Sequence, residues 1–135
     1  MDGIDIAAWS DFGVAVAGAM AALTGLLFVA ISINLERIIA FPTLPRLAMS
    51  TLLLFATVLV AAVFLLIPEQ SAAALGVELI ALGIGVGVPL VRTATRAPRV
   101  TDQTGLTDWI TTRLAPAVLV PGLTAAAGIG LLAGW

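Results

Sequence analysis

The sequence predicts an all-α, polytopic membrane protein: four transmembrane helices in an antiparallel bundle, N-terminus out and C-terminus out. Three observations predict it. Hydrophobic residues make up 61% of the 135 positions and charged residues only 10%, with a mean hydropathy of +1.16, far from the composition of water-soluble domains. The apolar residues fall into four runs of about 20 residues, the length that crosses a bilayer core. All six basic residues, Arg37, Arg46, Arg92, Arg96, Arg99 and Arg113, fall in two of the connections between those runs.

The first run extends from Phe12 to Ile33, between Asp11 and the polar group Asn34, Glu36 and Arg37. Trp9 just before it suits the headgroup layer, where an amphipathic ring keeps one wet edge. A secretory signal carries positive charge ahead of its apolar segment, whereas Met1 to Asp11 holds Asp2, Asp5 and Asp11 and no base; the first run is therefore read as a retained helix. The second run, Leu47 to Ile67, follows Leu44-Pro45-Arg46 and ends at Pro68, so proline punctuates both ends. Glu69 and Gln70 alone separate Pro68 from the third run, Ser71 to Val91, which predicts a tight helical hairpin. The fourth run, Leu114 to Trp135, has Pro116 and Pro121 near its start, where a kink is expected.

Between the runs lie a loop at about 34–46 and a longer one at about 92–113, and together they hold every arginine. The positive-inside rule places both in the cytoplasm, so the chain begins and ends outside. These arginines fix topology, and at the surface they also meet anionic lipid headgroups. In the longer loop, Thr107-Asp108-Trp109 reads as a helix start, with Thr107 as N-cap and Trp109 at the interface. The whole chain forms one transmembrane domain.

In lipid, leucine gains nothing by leaving the acyl chains, so contact faces are marked by small residues that let backbones approach. On the first helix Asp11, Ala15, Gly18, Ala22, Gly25 and Ser32 share a face. The second helix has no glycine between Leu47 and Ile67 and is expected to show the most lipid-facing surface. The third has two small faces, one of Ser71, Ala74, Glu78, Ala81 and Gly85 and another of Gly76, Gly83 and Gly87, and is expected to pack on both. Gly83 and Gly87 form a GxxxG pair, and Ala126, Gly130 and Gly134 repeat the small-xxx-small pattern on the fourth helix. Such faces serve packing within the chain or between subunits, and the sequence leaves both open.

Glu78 is the one ionisable residue inside a run. At 1.5 Å per residue it lies about 10 Å below the outer end of its helix. An ionised carboxylate at that depth is costly, which favours a neutral, hydrogen-bond-donating acid facing protein or a water-filled cavity. With no arginine at that depth, its expected partners are hydroxyls, namely Thr57, Thr124 and the deeper Thr24. Two readings stay open: a polar tie between helices, or a proton or cation relay.

Absent residue types remove whole chemistries. Without Cys or His there is no disulfide framework, thiol nucleophile, zinc tetrad or Ser-His-Asp triad. Neither a GxSG serine with a His nor HExxH is present, and no pair of membrane aspartates occurs. No cofactor or metal is expected, and the net charge of -2 argues against nucleic acid. Arginine without lysine in an Ala-, Val- and Gly-rich background points to a GC-rich bacterial genome, hence to a bacterial cytoplasmic (plasma) membrane.

The stretch Ala22-Leu23-Thr24-Gly25-Leu26-Leu27-Phe28-Val29-Ala30-Ile31-Ser32-Ile33-Asn34-Leu35, with the Pro68-Glu69-Gln70 turn beyond it, resembles small multi-span integral membrane proteins of actinobacteria. Their function is largely unassigned, and some carry a label as modulators of the membrane protease FtsH. The resemblance covers about a fifth of the chain and brings no catalytic or ligand residues with it. It also implies a further hydrophobic helix, which this sequence does not include. The function expected is therefore a non-enzymatic accessory or assembly subunit, self-associating or part of a larger membrane complex. The alternative is an oligomeric ion channel or proton-coupled transporter using Glu78.

Overall fold

A computed structural model describes residues 9–96 and 110–134. Those residues form helices and connecting turns, with no strand among them. Four helices are long and apolar enough to cross a membrane, as a multi-pass membrane protein requires. They are α1 (Ser10–Ile33), α3 (Leu44–Leu65), α4 (Ala72–Arg96) and α5 (Ala115–Leu132). A five-residue helix, α2 (Leu35–Ile39), occupies the first connection, and a π-helical turn at Ile110–Leu114 leads into α5.

The helix ends follow local chemistry. Asn34 interrupts α1 by donating its side-chain amide to the Ala30 carbonyl at 2.9 Å, a competing local bond of the kind that makes Asn a poor interior residue. α3 starts three residues before the expected Leu47 because Pro45 stands in the first turn, where a missing N–H costs nothing and the fixed φ already suits a helix. It ends at Leu65, and the turn that follows places Glu69 at φ 58°, a left-handed conformation that costs a non-glycine residue about 1–2 kcal/mol. Ser71 then caps α4, its Oγ accepting the Ala74 N–H at 3.2 Å. α4 runs past the expected Val91 to Arg96 and holds Pro89 in its interior; Pro89 leaves the Gly85 carbonyl without an i+4 donor. The expected cap at Thr107 and anchor at Trp109, with Arg99, lie outside the described residues.

Packing is uneven. The closest association joins α4 to α5, the next joins α1 to α3, and α3 also touches α4 and α5. Of α1 only Gly13 is buried, whereas α4 buries Leu75, Gly76, Leu79, Gly83 and Leu90. This corrects the expected role of the second spanning helix. α3 lies in the middle, with Thr57 and Ala62 buried, and α1 shows the greatest exposure. Lack of glycine did not exclude α3 from contacts, because larger side chains also interlock as ridges in grooves.

Candidate functional site: helix faces and the Gln70–Glu78 pair

Glycine sets the α4–α5 interface. A Cβ on Gly83 would lie 2.6 Å from the Pro121 carbonyl oxygen and 2.9 Å from the Ala125 Cβ. One on Gly76 would lie 2.8 Å from the Gly128 carbonyl oxygen, and one on Gly87 would meet the Pro121 Cβ at 3.0 Å. At Gly76 and Gly83 backbone therefore faces backbone with no room for a methyl group, and one turn on from Gly83 the Gly87 position is closed more loosely by the Pro121 ring. The partner face on α5 is Pro121, Ala125, Gly128 and Leu132, not the expected Ala126, Gly130 and Gly134. Gly130 is open, with nothing within 4 Å of where its Cβ would stand.

The other predicted packing glycines behave differently. Gly18 and Gly25 on α1 have nothing within 4 Å, and neither does Gly85 on the second small face of α4. Ala15, Ala22 and Ser32, which share the α1 face, are exposed, as are Ala74 and Ala81 beside Gly85. The second small-residue face of α4, expected to pack like the first, is thus open among the described residues. Gly83 and Gly87 close on α5, while Gly18, Gly25 and Gly130 have no such neighbour among the described residues.

Glu78, on the open face of α4, is half-buried. Its Oε2 accepts a 2.6 Å hydrogen bond from Nε2 of Gln70, a residue of the turn before the helix. The geometry follows from helix stereochemistry. Cα–Cβ bonds tilt toward a helix's N-terminus, so the Glu78 side chain points back along α4 toward the turn. The carboxyl thereby finds a partner nearer the helix end than its Cα. The Gln70 Oε1 is buried and lacks a hydrogen-bond partner.

The three threonines are not brought to Glu78. Each hydroxyl donates to the carbonyl four residues earlier in its own helix: Thr24 to Met20 at 2.6 Å, Thr57 to Leu53 at 2.7 Å and Thr124 to Val120 at 2.9 Å. This back-bonding is how an isolated hydroxyl satisfies its proton in an apolar helix. Gln70 was the residue that sequence reasoning missed. The readable signal was a polar amide in the turn on the N-terminal side of an intramembrane acid.

Arg37, Arg46 and Arg92 are exposed, and among the described residues no carboxylate pairs with them. No group of three or more His, Cys, Asp or Glu residues able to hold a metal ion occurs among the described residues. Comparison with protein-family models, curated proteins and solved structures found no match.

Proposed function

We propose that this chain is a non-enzymatic accessory or assembly subunit of a bacterial plasma membrane, which associates with further copies or with a larger membrane complex through the small-residue face of α1. The observation that carries this reading is the contrast within one chain. Gly76, Gly83 and Gly87 are closed by α5, whereas Gly18 and Gly25 repeat the signal on α1 and meet nothing within 4 Å among the described residues. In lipid such a stripe lowers the cost of close helix approach without preventing exposure to acyl chains. The proposal includes an antiparallel bundle with both termini outside and the arginines inside. Gly13 near Leu66, Gly76 near Leu132, and Gly87 near Pro121 support the helix directions, and the arginine distribution supports the sidedness.

The test is recovery of complexes from membranes, by native mass measurement in nanodiscs and by crosslinking. Gly25→Leu is expected to remove the associated species while helix content stays unchanged; complexes of normal mass from that variant would sink the proposal.

A second reading, an oligomeric proton or cation path, has one observation in its favour. Glu78 lies on an open face between exposed Ala74 and Ala81, beside the unpartnered Gln70 oxygen. On this reading Glu78→Gln abolishes proton flux into liposomes and leaves the assembly intact. Equal flux in the wild type and Glu78→Gln rejects it.

A further inference from the structure

The tight turn after Leu65 joins α3 and α4 at one end; at the other end, the arginine-bearing one, the two helices enclose a groove of 290 Å³. That is close to the lower limit for small-molecule sites, about 300 Å³. Pro45, Met49 and Leu53 of α3 and Pro89 and Leu90 of α4 supply apolar walls. Arg46 also lines the groove, one turn from Met49 and at the start of its helix, the level at which arginine reaches lipid headgroups from a spanning segment.

The polar groups on the walls differ in what they offer. Ser50 donates its hydroxyl to the Leu47 carbonyl and Thr93 to that of Leu90, each at 2.8 Å. Both retain oxygen lone pairs but have already used their protons, so neither is free to donate to an anion. Arg46 is exposed, and no described carboxylate neutralises it. The groove therefore combines one unpaired cation with a lining for hydrocarbon. Arg92, exposed next to Thr93 on α4, adds a second positive charge at the same end; among the described residues the acidic group of the loops at that end is Glu36, exposed on α2.

We infer that the α3–α4 groove binds one anionic phospholipid, its phosphate held by the Arg46 guanidinium and one acyl chain laid between Met49, Leu53 and Pro89. A guanidinium fork matches phosphate oxygens in geometry and charge, and the apolar walls match the chain at the depth where lipid tails begin. This goes beyond the packing proposal, because it requires no second protein and involves neither α1 nor Glu78.

The test uses the full chain, stripped of lipid in detergent and titrated with dioleoyl phosphatidylglycerol, dioleoyl phosphatidylcholine or soluble glycerol 3-phosphate, with bound species counted by native mass spectrometry. One phosphatidylglycerol per chain is expected, held more tightly than phosphatidylcholine, with no adduct from glycerol 3-phosphate. Arg46→Gln is expected to weaken phosphatidylglycerol binding about fivefold, the effect of one surface arginine on an anionic lipid. Arg46→Lys should restore part of it, and Arg37→Gln should leave it unchanged. Leu53→Trp fills the groove and should lower retention of both lipids; if that variant does not fold, the Arg46 pair decides alone, with far-ultraviolet circular dichroism verifying helix content. Equal binding of the two lipids, binding of glycerol 3-phosphate as strong as that of the lipid, or an Arg46→Gln effect no larger than that of Arg37→Gln would overturn the assignment.

Discussion

α4 and α1 both carry glycines at helical spacing on a small-residue face, yet at Gly76 and Gly83 of α4 a backbone oxygen stands under 3 Å from a notional Cβ, and Gly18 and Gly25 of α1 meet nothing within 4 Å. The difference lies in what the neighbour supplies. α5 offers Pro121, Ala125 and Gly128 at matching heights, small or flat groups that allow the two backbones to meet. α1 instead touches α3 near Gly13, where Leu66 and Ala62 fill the contact, and Gly18 and Gly25 turn away. A small-residue stripe therefore states that close approach is allowed. It does not state that the partner belongs to the same chain.

The strongest way to break this comparison is to place one side chain in both stripes. Gly83→Leu drives a branched group into the Pro121 carbonyl and Ala125, where no flexible end can yield, and is expected to cost about 3 kcal/mol or more. Gly25→Leu, the same change in open space, should leave the isolated chain as stable as the wild type or up to about 1 kcal/mol more stable, because leucine is the better helix former, while removing its associated species. Chemical denaturation in mixed micelles, followed by circular dichroism, measures the first quantity. Equal losses from both substitutions would show that α1 is packed as closely as α4.

The four spans were legible in the sequence because apolar runs bounded by Asp11, Asn34, Pro68 and Arg92 leave few alternatives at bilayer length. The boundaries were less so. Pro45 reads as a stop, but in a first turn it is a start, and nothing between Val91 and Arg96 breaks a helix once Pro89 has been accommodated. The α5 face was misread for a geometrical reason. Ala126, Gly130 and Gly134 repeat at strict fours, a row that drifts around a 3.6-residue helix, whereas Pro121, Ala125, Gly128 and Leu132 alternate four and three and stay on one side. Two of those four are not small, so a search for small residues passes over them. Glu78 was legible as the one ionisable residue inside an apolar run, and its partner Gln70 was not, because hydroxyls at similar depth looked like nearer partners than an amide in the turn. Helix side chains lean toward the N-terminus, and that direction, rather than depth, selected Gln70.

The smallest expected effect sharpens the comparison most, because it uses the most conservative change. Gly13 is the buried glycine of α1, and its Cβ would stand 3.1 Å from the Leu66 Cδ2, the end of a flexible side chain that needs to move only a few tenths of an ångström. Alanine in a helix interior is also favoured over glycine by about 0.5–1 kcal/mol. The two terms oppose each other, so Gly13→Ala should change stability by less than about 0.5 kcal/mol in either direction. Gly83→Ala adds the same single methyl group against a backbone oxygen at 2.6 Å and should lose about 1–3 kcal/mol. Denaturation of the two alanine variants under identical conditions measures the gap directly. Only if Gly13→Ala proved as costly as Gly83→Ala would the α1–α3 contact be as rigid as the α4–α5 one; a wide gap means that α1 is held by yielding side chains, the condition under which its open face can adjust to a partner.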